Sequence, residues 1–257
     1  MKNTVPELVT LASMTNQELL SSASPLIGDL GAAFYFIPET AATGKELGLK
    51  GMEFYVLGRG GTLGNCEGRV AAAAFGYFKP SMLAGIWDEA RAKVDPRAAG
   101  RAHLACCANL GRAKLQGAPG LHAFVAAAEK VNDAADPDGM GLYSAISSEP
   151  LPDDAEGRAM QLIALLREYR GSAHLAALRA AGIDTKTAHH AKRPDMAALF
   201  GWTEDEAPII TDDVIARMKE AETMTDRIVE PAFAVLSDAE RTALVEGLHA
   251  VRAALAA

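Results

Sequence analysis

The sequence predicts an all-α protein, and three observations support that prediction. Alanine dominates the apolar residues, whereas runs of valine, isoleucine and threonine, which favour strands, are rare. Apolar residues recur at helical spacing, and residues that begin or end helices occur throughout the chain. Hydrophobic residues make up 49% of the 257 residues, which is enough apolar surface for a packed interior.

Helix starts can be assigned along the N-terminal half. Thr15 to Glu18 reads as a capping box, and Pro25 and Pro38 each stand where a first helical residue is expected. A second helix is therefore expected from Pro25 to Tyr35. The following helices are expected from 38 to 48, up to about 57, and over 67–78, 80–94 and 119–132, with a long alanine-rich helix through His103.

The glycine-rich segment Gly58 to Gly64 is predicted to be a turn between two helices that uses positive φ. It lacks the Lys-Ser/Thr ending of a phosphate-binding loop and does not follow a predicted strand, so a nucleotide motif is the weaker interpretation. Arg59, within this segment, either extends toward solvent or reaches a pocket.

A polar segment rich in proline and glycine, from about Asp133 to Gly157, is the best candidate for a domain boundary. It predicts two domains, a helical ligand-binding domain over residues 1–150 and a second helical domain over residues 151–257. The segment is also long enough to line a site.

The helix predicted over Leu162 to Gly182 carries two cations and an imidazole on one stripe, because Arg167, Arg170 and His174 are three and four residues apart. If the stripe faces a cavity, it is suited to anion binding or acid/base chemistry. The alternative is a solvated stripe with salt links to Glu168 and its neighbours, which the spacing alone favours.

The C-terminal region is expected to be helical and strongly acidic. Two short helical pieces split at Pro194 lead to long helices capped at Thr211 and Ser237, with Pro231 kinking or ending part of the first. From residue 197 onward there are twelve acidic and five basic residues, a net charge of −7. Such a surface would repel a phosphate backbone, so we expect no nucleic-acid partner.

Composition also bears on the compartment and on metal sites. No run of about 18 apolar residues is present, the N-terminus does not read as a signal peptide, and three cysteines form no disulfide framework. A cytoplasmic protein without a membrane span is therefore expected. The six histidines and three cysteines show no zinc-binding spacing, so no metal site is predicted.

Individual histidines leave alternatives open. His189 and His190 are expected at a solvated helix end. His174 is a candidate general base or a lone axial ligand to haem, although a histidine satisfied by neighbouring groups is the commoner case. The cofactor is unknown at this stage, with haem and flavin as candidates.

Three blocks of sequence together resemble the SalK family of mostly actinobacterial proteins that contain a winged helix. The blocks are Tyr35 to Glu39 with Gly48 to Gly64, Ala73 to Leu83, and Leu165 to Gly182. The resemblance implies an all-helical N-terminal region followed by a winged helix similar to that of MarR-type regulators. The positions that match the family's polar pattern are Glu39, Arg59, Pro80, Arg167, Arg170, Gly171 and His174.

The C-terminal region departs from this pattern. After Thr203 to Glu206 only Ala-Pro-Ile-Ile precedes Thr211, which leaves no room for a full recognition helix and a basic hairpin. The second domain is therefore expected to be a degenerate, winged-helix-like helical domain with a truncated wing.

The first hypothesis for function is binding of an anionic or aromatic small molecule or cofactor between the N-terminal helices and the Leu162 to Gly182 helix. Arginines bind carboxylate or phosphate with two hydrogen bonds, and tyrosines wall such a pocket. The candidate ligand-binding residues are Arg59, Arg167, Arg170 and Tyr35. If the protein is an enzyme, for example of specialised metabolism, the candidate catalytic residues are His174, Glu39 and Tyr77.

Two further hypotheses are retained. One is a ligand-responsive, MarR-like transcription regulator in which the C-terminal helices form a homodimer. The other is a non-catalytic scaffold in which the winged-helix remnant serves only for packing or dimerisation. The sequence does not distinguish an enzyme from a binding protein.

Overall fold

A computed structural model describes residues 14–257, and within them the all-α prediction is confirmed. These residues form twelve α-helices and four 3-10 turns (Gly61–Leu63, Pro194–Met196, Ala198–Phe200, Glu204–Glu206), without a β-strand. A β-hairpin wing is therefore absent from this part of the chain. The helices are α1 (Asn16–Leu30), α2 (Pro38–Glu46), α3 (Gly51–Gly60), α4 (Gly68–Phe75), α5 (Pro80–Arg91), α6 (Pro96–Lys114), α7 (Leu121–Ala134), α8 (Gly141–Ser147), α9 (Ala155–Ala180), α10 (Thr185–Lys192), α11 (Asp212–Phe233) and α12 (Asp238–Ala256).

The predicted capping boxes begin two of these helices. In α1 the backbone N–H of Thr15 donates to Glu18 Oε2 at 2.8 Å, and the N–H of Glu18 donates back to Thr15 Oγ1 at 3.2 Å. At α12 the N–H of Ser237 donates to Glu240 Oε2 at 2.7 Å. These contacts satisfy backbone donors that a helix start otherwise leaves unpaired.

The 26-residue helix α9 is the centre of the fold. It packs against α1, α6, α7, α8, α10 and α11, and most of its residues from Ala159 to Tyr169 are buried. Its start is fixed by Asp154, whose carboxylate accepts from the N–H of Gly157 at 2.8 Å. Because α9 is surrounded by other helices, its polar side chains must either pair with one another or face an internal space.

One hydrophobic core spans the predicted domain boundary. It includes Leu19 on α1, Phe124 on α7, Leu166 on α9 and Leu248 on α12, all buried. The segment 133–157 is also less irregular than expected, because α8 lies within it. The division into residues 1–150 and 151–257 stays a prediction, but helices from both sides contribute to the same core.

Two prolines that the sequence places at helix boundaries, Pro25 and Pro231, lie inside continuous helices. The helix expected to begin at Pro25 does not exist as a separate element, because α1 continues through that residue to Leu30. The residues after it, Leu26, Ile27 and Leu30, are buried, and this packing outweighs the lost backbone hydrogen bond. Helix α11 likewise continues through Pro231 and ends two residues later at Phe233.

The predicted glycine turn is also wrong. Helix α3 runs through Gly58 and Arg59 to Gly60, and of the glycines from 58 to 64 only Gly64 has positive φ, at +78°. The other glycines allow close packing: a Cβ on Gly58 would come within 2.8 Å of the His103 ring, and one on Gly60 within 2.7 Å of Phe75. A helical Arg59 therefore points to a fixed partner rather than to the tip of a turn.

Candidate functional site

The candidate site is a cavity of about 360 Å³ between α1, α3, the α4–α5 connection, α9 and α10. This volume lies within the range of small-molecule pockets, on the order of 300–1,000 Å³. Four residues singled out from the sequence line it: Arg59, Tyr77, Arg167 and Arg170. The stripe on α9 therefore faces an internal space at its first two positions.

A buried carboxylate holds two of these arginines in place. Arg59 donates from Nε and Nη2 to the two oxygens of Glu168, both at 2.8 Å, and Arg167 Nη1 donates to Glu168 Oε1 at 2.8 Å. The hydroxyl of Tyr35 donates to the same Oε1 at 3.1 Å. Two guanidinium groups thus share one carboxylate, which leaves this buried cluster with one net positive charge.

The charges of the cluster are fixed by their mutual contacts. Burial alone would raise the pKa of Glu168, but Arg59 and Arg167 lower that pKa to about 2. Glu168 in turn raises the pKa of Arg59 above its ordinary value, against the effect of burial. The cluster therefore keeps its charges throughout the physiological pH range.

Arg170 lies at the boundary between the cavity and α11. Its Nη2 donates to Glu222 Oε2 at 2.8 Å and to Asp226 Oδ1 at 3.2 Å, both on α11. Its Nε is buried and has no hydrogen-bond partner among residues 14–257. The Nη2 group of this guanidinium is therefore committed to α11, while the neighbouring Nε–H donor has no partner among residues 14–257.

Two more buried polar atoms at the cavity have no partner within the described residues. They are Ser172 Oγ, on α9, and His189 Nε2, on α10, and each side chain is 7% exposed. Buried polar groups are nearly always hydrogen-bonded, because an unpaired group costs about 1–3 kcal/mol. Arg170 Nε, Ser172 Oγ and His189 Nε2 are thus three unpaired hydrogen-bonding atoms on residues that line the same space.

Aromatic rings form the apolar wall of the cavity. Phe200 lies between Phe78 and His189, with ring centroids 4.1 Å from each, and Phe75 and Tyr55 also line the space. Arg59 lies over the Phe75 ring at 4.7 Å. Such walls suit a flat apolar ligand whose polar end meets the arginines.

Tyr77 adopts an unusual backbone conformation at the cavity wall. Its φ is +59°, and no other non-glycine residue in the described part of the chain has positive φ. Its carbonyl oxygen accepts from Trp202 Nε1 at 2.7 Å, which helps to hold this conformation. Local strain of this kind is more common at functional sites than elsewhere.

Three of the residues proposed from the sequence do not face the cavity. Tyr35 is buried behind it, within the Glu168 cluster. Glu39 is exposed on α2 and borders a separate groove, so it cannot orient a group in the cavity. His174 faces α11, where its Nδ1 contacts the Thr225 hydroxyl, and it does not line the cavity.

The contacts of His174 also define its protonation. The Thr225 hydroxyl donates to the carbonyl of Ala221 at 2.7 Å, so His174 Nδ1 must be the donor in its 2.8 Å contact with that hydroxyl oxygen. Burial lowers the pKa of His174, against the charge of Glu222. This histidine is satisfied by α11 and is not placed as a haem ligand in the cavity.

Sequence reasoning missed two residues of the site and misplaced a third. Ser172 carries no motif, and Glu168 was considered only as a surface salt link. His189 was expected at a solvated helix end but is buried against Phe200. The sequence could have indicated that Glu168 is a buried partner of the arginines, because it lies between Arg167 and Arg170 on a helix too apolar to be a surface helix.

A second histidine, His103, is buried beside the cluster and predicts a pH dependence of stability. Burial, with a contribution from Arg59, lowers its pKa from 6.5 to about 3. Between these values the unfolded chain binds a proton that the folded chain does not, so stability should fall as pH falls, by up to about 1.4 kcal/mol per pH unit. Below pH 4.5 the unfolded chain also binds a proton at Glu168, which stays ionised in the folded protein down to about pH 2, so this carboxylate should add to the loss of stability.

Urea unfolding at pH 7, 6 and 5 tests this prediction. The variant His103→Gln should show a smaller loss of stability over this range than the wild type. The matched variant His122→Gln changes an exposed histidine on α7 and should leave the pH dependence unchanged. An unchanged dependence in His103→Gln would contradict a neutral, buried His103.

Residues 14–257 also bear on metal binding and membrane insertion. No group of three or more histidine, cysteine, aspartate or glutamate residues there is arranged to hold a metal ion. In the same residues, no helix combines the length and the apolar character needed to cross a membrane.

Comparison with known proteins gave one match. The model of a helix-turn-helix family matches residues 21–257, nearly the whole chain. No curated protein matches, and no solved structure matches. The match covers both the cavity and the C-terminal helices, so the two belong to one family architecture.

Proposed function

Since the chain belongs to this helix-turn-helix family, we propose that it is a ligand-responsive protein that binds a small organic anion with an aromatic body. The anionic group lies at Arg170, Ser172 and His189, and the aromatic body packs against Phe78 and Phe200. Membership of the narrower SalK family, and an enzymatic role in specialised metabolism, stay predictions.

One observation carries this proposal: three residues that line one cavity each have a buried polar atom without a hydrogen-bond partner among residues 14–257. Arg170 Nε is a permanent donor, and the Ser172 hydroxyl can donate as well. Burial lowers the pKa of His189, against the effect of a backbone contact with Met196, and the neutral ring donates from Nε2 in the tautomer that carries the proton on that nitrogen. An acceptor-only group such as a carboxylate satisfies all three atoms at once.

The nearby charge favours an anion over a neutral ligand. The cluster of Arg59, Arg167 and Glu168 carries one net positive charge at the cavity wall. Its field is weakly screened because these side chains are largely buried. A carboxylate ligand would balance this charge.

Isothermal titration calorimetry with 2-naphthoate, benzoate and the neutral amide 2-naphthamide tests the proposal. We expect 2-naphthoate to bind most tightly, because it has both the anionic group and the larger aromatic body. The amide should bind at least about tenfold more weakly, since it lacks the charge that the arginines recognise.

The variant Arg170→Met should weaken 2-naphthoate binding by about 30-fold or more, as expected for loss of a charged hydrogen bond. The control Arg252→Met removes an exposed arginine on α12 and should bind like the wild type. No binding of either carboxylate up to about 10 mM, or equal affinity of wild type and Arg170→Met, would contradict the proposal.

DNA binding is the second candidate, and family membership is the observation that favours it. The net charge of −7 beyond residue 196 and the lack of a strand in residues 14–257 oppose it. A gel-shift assay at low salt, with DNA from upstream of the protein's own gene and with or without 2-naphthoate, distinguishes these cases. A specific shift in either state would establish DNA binding, and its absence in both would remove this candidate.

A further inference from the structure

We propose that a ligand anion and the N-terminal part of α11, residues 212–226, compete for Arg170, so that ligand binding loosens this part of α11. The inference rests on the proposed function, because it assigns a consequence to occupation of the same site. It concerns a part of the chain that lies outside the cavity and within the C-terminal region of the family match.

The competition follows from the position of one guanidinium. Arg170 lines the cavity and its Nη2 donates to Glu222 and Asp226 on α11, whereas the adjacent Nε has no partner among residues 14–257. A guanidinium is planar and its donors are fixed relative to one another. A carboxylate that draws two donors of Arg170 toward the cavity must therefore weaken the bonds to α11.

The two parts of α11 are held differently. The C-terminal part, from residue 227, places Val229, Ala232 and Phe233 in the main core. The N-terminal part contributes one buried residue, Ala221, to a small separate cluster, and its side chains Val214, Met218 and Met224 pack against that cluster while only partly buried. Because most of this apolar surface is only partly buried, the N-terminal part depends more on its polar contacts.

Those polar contacts are few. Besides Arg170, they are the contacts of His174 with Thr225 at 2.8 Å and with Glu222 at 3.9 Å, and the half-exposed pair of Lys192 and Glu222 at 3.5 Å. Arg170 makes charged hydrogen bonds to two successive turns of α11, at Glu222 and Asp226. It is therefore the contact whose loss should affect this part of the helix most.

Tyr77 is a second contact between the cavity and the N-terminal part of α11. It lines the cavity and also packs against the small cluster together with Val214 and Met218 of α11. A ligand that displaces Tyr77 would disturb the packing of α11 as well. The contacts of Arg170 and of Tyr77 both involve residues 212–226 and not the C-terminal part of the helix.

Hydrogen–deuterium exchange without ligand gives the first test. Arg170→Met should raise amide exchange in residues 212–226 at least about threefold and leave residues 227–236 unchanged. The double variant Glu222→Gln/Asp226→Asn breaks the same contact from α11 and should have the same effect. Asp213→Asn, which loses only the exposed pair with Arg217, is the control.

Ligand binding gives the second test, with 2-naphthoate as the probe. The double variant should bind it about 3- to 10-fold more tightly than the wild type, because the competing carboxylates no longer hold Arg170. Arg170→Met should bind it more weakly. We therefore expect Arg170→Met and the double variant to loosen α11 equally but to change the affinity for 2-naphthoate in opposite directions.

The outcomes separate this inference from the proposed function. Unchanged exchange in residues 212–226 of both variants would overturn the competition, whether or not 2-naphthoate binds. Binding of 2-naphthoate with equal affinity to the wild type and the double variant would also overturn it and leave the ligand site standing. Failure of carboxylates to bind, with loosened α11 in both variants, would reject the ligand site and keep only the role of Arg170 in holding α11.

Discussion

Replacing Glu168 with glutamine should lower the free energy of unfolding by about 3–5 kcal/mol, the range seen when one partner of a buried ion pair is removed. Glu168 is the counter-charge that Arg59 and Arg167 share, and all three side chains are largely buried. Glutamine keeps the shape and some hydrogen bonds but not the charge. Two guanidinium groups would then remain in the interior without a counter-charge.

Urea unfolding at pH 7 measures this change. The control Glu67→Gln breaks the pair with Arg69, in which the side chains are 66% and 83% exposed, and should change stability by less than about 1 kcal/mol. If Glu168→Gln were as stable as this control, the ion pairs of Glu168 with Arg59 and Arg167 could not be what stabilises the cavity wall.

Replacing Gly61 with alanine should destabilise the protein by about 3 kcal/mol or more, the upper end of overpacking effects. A Cβ at this position would overlap the carbonyl oxygen of Pro96 and lie 2.8 Å from the N–H nitrogen of Gly100. Both are backbone atoms of α6, so no side chain can move aside. The contact fixes the end of α3, and with it Arg59, against α6.

The glycine on α5, Gly85, supplies the matched control for this substitution. It is exposed in the middle of the helix and nothing lies within 4 Å of an added Cβ. Gly85→Ala should therefore raise stability by about 0.5–1 kcal/mol, through the better helix propensity of alanine. Thermal unfolding of both variants tests the pair, and a Gly61→Ala protein as stable as the wild type would show that α3 and α6 can separate.

The sequence predicted the helices well because their periodicity and caps are local properties. Thr15 and Ser237 begin helices as expected, and α9 is the long helix inferred from its apolar spacing. Errors arose where tertiary packing outweighs a local preference, as at Pro25. The glycines from 58 to 61 were misread because packing against His103 and α6 cannot be inferred from spacing.

The candidate site was predictable only in part. Helical spacing brought Arg167 and Arg170 together, and Arg59 was singled out by its place in the glycine-rich segment and again by the resemblance to a known family. Spacing could not show that His174, on the same stripe, faces α11, because a helix surrounded on several sides presents each face to a different neighbour. Nor could it show that Glu39 and Arg59 lie at different openings of the protein.

The same central helix connects stability and recognition. Glu168 and Arg170 are two residues apart on α9, so one carboxylate anchors the cavity wall while the neighbouring arginine joins the cavity to α11. In the buried cluster, both carboxylate oxygens of Glu168 accept hydrogen bonds, from Arg59, Arg167 and Tyr35. Arg170 is only partly satisfied, and this difference makes it the residue that a ligand can recruit.

The central claim, that the cavity receives an anion at Arg170, can be tested without knowing the natural ligand. Crystals soaked in sodium bromide and measured at the bromine absorption edge would locate bound anions directly. We predict an anomalous peak inside the cavity, within about 3.5 Å of Arg170 Nε or Ser172 Oγ. Bromide only on exposed surface arginines, with water molecules satisfying Arg170, Ser172 and His189 in the cavity, would contradict the claim.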